Sequence, residues 1–170
     1  MYKLKLLQAL EKFAVKMRDR GLHPPTRLGR YVLKGLLGGE VAVDVDGLYL
    51  SGSVEHRRYL WSLREGKQEA FMAELFKTTI EPGMIVCDIG AFIGYYALLA
   101  AQRVGKTGRV YAFEPDPRNF KFLVHNIQNN GFGDIITPIP KALSDKNGEM
   151  QFYLHGGDQS RSSLFASIGG

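Results

Sequence analysis

Residues 84–117, MIVCDIGAFIGYYALLAAQRVGKTGRVYAFEPDP, carry the pattern from which the fold is read. Met84 to Asp88 is a short apolar run that fits a strand buried on both faces, and Gly90 and Gly94 break it into a turn. A helix follows from about Ile93 to Val104, with Ile93, Ala97, Ala100 and Val104 on its buried side, and Gly105 to Gly108 end it. Arg109 to Phe113 make a second strand. Asp116 then stands as N-cap with Pro117 at the first helical position. The helix it opens places Phe120, Leu123, Val124 and Ile127 on one stripe, and Asn130-Gly131 closes it. A third strand near 135–142 contains Pro138 and Pro140, which donate nothing to a ladder and belong at a sheet edge. Strand, helix, strand, helix, strand at this spacing is the βαβ pattern of a parallel sheet in an α/β fold.

Towards the N-terminus, residues 40–50, EVAVDVDGLYL, alternate apolar and polar positions around Asp46-Gly47 and predict a small hairpin. A connecting helix is expected at about 55–64, and a second after Gly66 through Phe71, Met72, Leu75 and Phe76. Leu6, Leu10, Phe13 and Met17 recur at helical spacing, so residues 2–19 read as an amphipathic helix with a basic outer face. Towards the C-terminus, Lys146-Asn147-Gly148 reads as a hairpin turn returning through Met150, Phe152 and Leu154. The organisation expected is a basic helix, hairpin and connecting helix in residues 1–65, followed by the main α/β unit in 66–170.

The chain has 170 residues, 45% hydrophobic and 23% charged, enough for one domain with a full core, which excludes a disordered tail or a staple-dependent mini-protein. The single cysteine, Cys87, allows no internal disulfide and no cysteine zinc cluster, and His23, His56, His125 and His155 are too scattered for a metal site. A cytoplasmic location is the expectation. Lysines interrupt the N-terminal apolar residues, so no signal peptide is read, and Asp88 with the two glycines argues against a membrane span over 84–101. Charge is uneven. Residues 1–35 hold nine Lys or Arg against Glu11 and Asp19, net +7, while the rest holds thirteen against fifteen, net −2. The basic arm reads first as a helix packed on the domain with a solvated lysine face, and second as a contact for an anionic membrane surface or an acidic partner, and no specific nucleic-acid motif accompanies it.

In an open α/β sheet, ligands bind beyond the carboxyl ends of the strands. Three such ends are legible: Asp88 to Gly94, Glu114 to Pro117, and Lys141 to Asp145. The first reads D-x-G-x-x-x-G. Phe92 stands where a dinucleotide site has its second glycine, which keeps a pyrophosphate away from that backbone and weighs against an NAD-dependent oxidoreductase. Asp88 favours a ligand with positive charge, and S-adenosylmethionine, with a sulfonium, an ammonium and no phosphate, suits the loop better than NAD. Glu114, 24 residues after Gly90, is an acceptor-only group able to take both hydroxyls of a ribose. Asp88 has an alternative role, satisfying backbone N–H groups in its own turn.

The segments VCDIGAFIGYYALLA, YAFEPDPRNFKFLVHNIQNNGF, KALSDKNGEMQFYL and SRSSLF together resemble the core of FkbM-type methyltransferases, within the class I S-adenosylmethionine-dependent fold, over roughly residues 66–165. The resemblance implies a Rossmann-like class I methyltransferase sheet, here partial: strands one to three plus a hairpin strand, with the N-terminal helical segment added. It implies that Asp88, Gly90, Ala91 and Gly94 surround the methionine and ribose, that Glu114 binds the ribose hydroxyls, and that Ala142 and Leu143 border the adenine. It also implies methylation of a hydroxyl on a sugar, glycoconjugate or natural product. The family pattern continues through further strands beyond Gly170, so a C-terminally short core is expected, with one side of the first strand left exposed unless the N-terminal segment covers it, and self-association or marginal stability as the consequence. No catalytic base is assigned: His125 lies on a helix, His155 in a loop, and Ser162 and Ser163 are the nearest further candidates. The alternative function is a non-catalytic cofactor-binding fragment or binding module.

Overall fold

The structure, a computed structural model, describes residues 39–66 and 70–149. The helix expected over 2–19, the return arm of the hairpin after Gly148, and His155, Ser162 and Ser163 lie outside the described residues.

Strands β1 (Glu40–Val45) and β2 (Leu48–Ser53) form the expected antiparallel hairpin. Asp46 and Gly47 make its two-residue turn with φ of 55° and 75°, the left-handed pair that matches strand twist. Alternation then puts Val41, Val43, Val45, Leu48 and Leu50 into the core. A 3₁₀ turn (Val54–His56) leads into α1 (Arg57–Arg64), which buries Leu60, Trp61 and Leu63. Helix α2 (Ala70–Thr79) buries Ala73 and leaves Phe71, Met72 and Leu75 exposed.

The α/β unit follows as β3 (Ile85–Ile89), α3 (Tyr95–Val104), β4 (Arg109–Phe113), α4 (Pro117–Asn129) and β5 (Ile136–Ile139). The three strands are parallel in the order β3-β4-β5, and Pro138 and Pro140 fall on or just after the edge strand, as their missing N–H groups require. Asp116 caps α4 by accepting the Arg118 N–H at 2.9 Å, with Pro117 at the first helical position.

Two expectations are corrected. Val86, Val110, Ala112 and Ile136 face the helices, but Ile85 and Ile89 on the other face are 71% and 66% exposed, so β3 is not buried on both faces. The reason is the layering: among the described residues nothing packs over Ile85, Cys87 and Ile89. The buried stripe of α4 is also turned from the expected one. Its buried residues are Asn119, Phe122, Leu123, Asn126 and Ile127, because the hairpin docks on this helix as well as the sheet.

That docking relies on two asparagines. Asn130 accepts the Tyr49 N–H at 2.8 Å and donates to the Tyr49 carbonyl at 2.7 Å. Asn126 accepts the Ser51 N–H at 2.9 Å and donates to the Ser51 carbonyl at 2.9 Å. One helical turn of α4 thus spans two strand residues, and two side-chain amides stand in for a third strand along the edge of β2.

Candidate cofactor site

The carboxyl ends of β3 and β4 lie side by side, because Asp88 pairs with Ala112 and Ile89 with Phe113. The chain leaving β3 turns at Gly90, φ 82°, and the Gly90 and Ala91 N–H groups both donate to the Phe113 carbonyl at 2.9 Å. The loop is thereby tied to the neighbouring strand end. Gly94, φ 98°, begins α3, and a Cβ there would stand 2.8 Å from Leu123 Cδ1. The tight approach at this glycine is therefore to the Leu123 side chain of α4.

Glu114, one residue past β4, is buried. Its Oε2 accepts the Phe92 N–H at 2.7 Å, and its Oε1 accepts the Asp116 N–H at 2.9 Å and Asn119 Nδ2 at 3.4 Å. An ionised carboxylate has about four acceptor directions, so the group is fixed in orientation and keeps capacity for a ligand. Burial pushes its carboxyl above the usual range, opposed by the Asp116 and Phe92 N–H donors.

Phe92 is not a glycine, yet its φ is 54°. Such a conformation costs roughly 1–3 kcal/mol and persists only where the surroundings impose it. Here the bond to Glu114 fixes the backbone, while His56 and Tyr59 meet the ring edge-on at 4.9 and 5.2 Å between centroids.

Asp88 behaves differently. Burial raises its carboxyl to about 6, opposed by the Ala97 N–H in the first turn of α3 and reinforced by the negative charge of Glu114. Its Oδ2 is buried with no hydrogen-bond partner. Both readings of Asp88 therefore have a physical counterpart: a bond to the backbone, and one buried oxygen left for a ligand.

Gly90, Ala91, Gly94, Asp88 and Glu114 are brought together. Ala142, half-buried, and Leu143, exposed, follow β5 at the same end of the sheet, which is fixed there by the Glu114 N–H bond to the Ile139 carbonyl at 3.0 Å. Neither makes a hydrogen bond to the loop or to Glu114. His125 is exposed and within 2.9 Å of Asn129. Among the described residues no cluster of His, Cys, Asp or Glu is placed to hold a metal ion, and no helix is long and apolar enough to cross a membrane.

Sequence reasoning missed His56 and Asn119, which stand behind Glu114. The available signal was three asparagines, 119, 126 and 130, spaced to share one face of α4, where polar residues on a buried side imply specific partners.

The family model described as the TRM5/TYW2 methyltransferase domain matches residues 49–152, more than half of the chain. The chain belongs to this family. It is therefore placed among S-adenosylmethionine-dependent methyltransferases, the class that the FkbM-type resemblance implies. The TRM5/TYW2 match takes in β2, the glycine loop, Glu114 and α4. A curated relative, hexuronic acid methyltransferase AglP of Haloferax volcanii, is 25% identical over 118 residues, covering 69% of this chain and 47% of its own. Pyrococcus horikoshii TYW2, solved in complex with MeSAdo, is 22% identical with a TM-score of 0.52, covering 75% of this chain and 53% of its own. This second likeness shows the class I methyltransferase fold. The chain spans about half the length of the curated relative it matches.

Proposed function

We propose that the chain binds S-adenosylmethionine at the ends of β3 and β4 and transfers its methyl group to an oxygen of a sugar, glycoconjugate or related acceptor, in the manner of FkbM-type enzymes. The observation that carries the cofactor reading is the pair of carboxylates at adjacent strand ends, the buried Glu114 fixed by Phe92 and Asp116 N–H groups and the half-buried Asp88 with its Oδ2 buried and unpartnered.

S-adenosylmethionine supplies a methyl already activated by its sulfonium, so the protein's work is binding and alignment. Glu114 meets the ribose diol through Oε2, which accepts one protein N–H and keeps a further acceptor direction. Asp88 presents Oδ2 to the positively charged portion of the ligand, whose presence favours the ionised form of a carboxyl that burial disfavours. Gly90, Ala91 and Gly94 shape the loop, and Ala142 and Leu143 flank the adenine. No group in the described residues is assigned as the base that takes the acceptor's proton.

The sugar acceptor is supported by the match to the Haloferax hexuronic acid methyltransferase. A second acceptor class, a nucleoside of tRNA, is favoured by the TRM5/TYW2 family match and by the net +7 of residues 1–35, the charge that phosphate contacts need. Incubation with methyl-labelled S-adenosylmethionine and either uronic-acid oligosaccharides or total tRNA decides between them. Label on the oligosaccharide is expected. Label on tRNA alone would replace the sugar reading with the second one.

A further inference from the structure

We infer that His56 is a positioning residue for Glu114: through Asn119 and Phe92 it stands behind two of the contacts that orient the carboxylate. The inference rests on the reading of Glu114 as the ribose-binding group and extends the site to the hairpin side of the molecule.

His56 is 2% exposed and lies 58 residues before Glu114 in the chain. The Ser53 N–H donates to its Nδ1 at 2.9 Å, which makes Nδ1 an acceptor and places the ring proton on Nε2. Nε2 is 3.1 Å from Asn119 Oδ1, so His56 donates and Asn119 accepts. With its oxygen thus oriented, Asn119 turns Nδ2 towards Glu114 Oε1 at 3.4 Å. The donor direction is the same at every step, from the Ser53 backbone to the carboxylate.

The second route is through packing. The His56 ring meets Phe92 edge-on at 4.9 Å, and the Phe92 N–H is the donor to Glu114 Oε2. One imidazole therefore backs a donor on each carboxylate oxygen. Gly52 makes the placement possible, since a Cβ there would lie 2.8 Å from His56 Cβ and 2.9 Å from its Nδ1. A histidine serving only to cap the turn after β2 would need the Ser53 contact alone.

Two substitutions separate the ring's ends. In His56→Asn the amide takes the place of Nδ1 and keeps the Ser53 contact but does not reach Asn119. In His56→Gln the amide reaches the place of Nε2 and keeps the donor to Asn119. The full chain, labelled with ¹³C at glutamate carboxyls, is titrated by NMR, and S-adenosylhomocysteine binding is measured by calorimetry. His56→Asn should move the Glu114 midpoint upward and weaken binding about 5- to 10-fold, the loss of one net hydrogen bond. His56→Gln should restore both. Asn119→Ser removes the same donor with His56 intact and should displace the midpoint as His56→Asn does. An unmoved Glu114 midpoint in His56→Asn and Asn119→Ser, or equal displacement by both His56 variants in step with a fall in Tm, overturns the inference. If Glu114→Gln binds S-adenosylhomocysteine as tightly as the unaltered chain, the ribose reading fails, and the Glu114 titration still decides the role of His56.

Discussion

Asp88 and Glu114 close adjacent strands of one sheet, and burial raises the carboxyl of each, yet their surroundings differ. Around Glu114 the protein converges: two backbone N–H groups and one amide hold it, and α4 and the hairpin stand behind them. Around Asp88 it stops short, supplying the Ala97 N–H and leaving Oδ2 buried without a partner. The contrast separates two ways of preparing a ligand site. On the proposed roles, the carboxylate that presents fixed geometry to the ribose is held by protein donors, whereas the one that meets the ligand's charge keeps an unpartnered oxygen. Burial costs both carboxylates, and the donors around Glu114 offset part of that cost, whereas Asp88 Oδ2 has no partner.

The largest effect that can break this contrast is expected from Glu114→Ala. It removes the acceptor of the Phe92 and Asp116 N–H groups, and buried donors left unpaired cost about 1–3 kcal/mol each. On the proposed ribose role it also removes charged hydrogen bonding to the ligand, worth about 10- to 100-fold in affinity. Denaturation and calorimetry should therefore record losses of both stability and S-adenosylhomocysteine binding. Loss of binding with unchanged stability would mean that Glu114 is not the structural clamp described.

Asp88→Asn should act in the opposite sense. The carboxyl ionises at about 6 in the folded chain against an ordinary value of 3.8. Between these values the native state holds a proton that the unfolded chain has released. Stability therefore falls as pH rises through that window, by about 2–3 kcal/mol, and is level above it. The asparagine variant lacks this fall and should be the more stable above pH 6, as read by urea denaturation from pH 4 to 7. Parallel pH profiles for the two proteins would contradict the assignment of a buried, ligand-free carboxylate to Asp88.

The α/β part of the fold was legible because its signals are local. Glycines punctuate the strand ends, Asp116-Pro117 starts α4, and Asp46-Gly47 turns the hairpin. That Asp88, Gly90, Gly94 and Glu114 come together at one end of the sheet was legible for the same reason, since they stand at strand ends, which makes them candidates for a ligand site. What was not legible depended on packing between distant segments. The run Ile85–Ile89 has the composition of a buried strand, but composition does not record which face a second layer covers. Asn119, Asn126 and Asn130 look like ordinary polar helix residues until β2 and His56 are placed against them. Phe92 reads from the sequence as an obstacle to a pyrophosphate, while its left-handed backbone and its bond to Glu114 emerge only in three dimensions.

The central claim is that these two strand ends form a site for S-adenosylmethionine and not for a dinucleotide. Calorimetric titration of the full chain with S-adenosylhomocysteine and, separately, with NADH tests it most directly. Saturable binding of S-adenosylhomocysteine at one site per chain, with no heat from NADH beyond dilution, is the expected result. Saturable binding of NADH with none of S-adenosylhomocysteine would contradict the account.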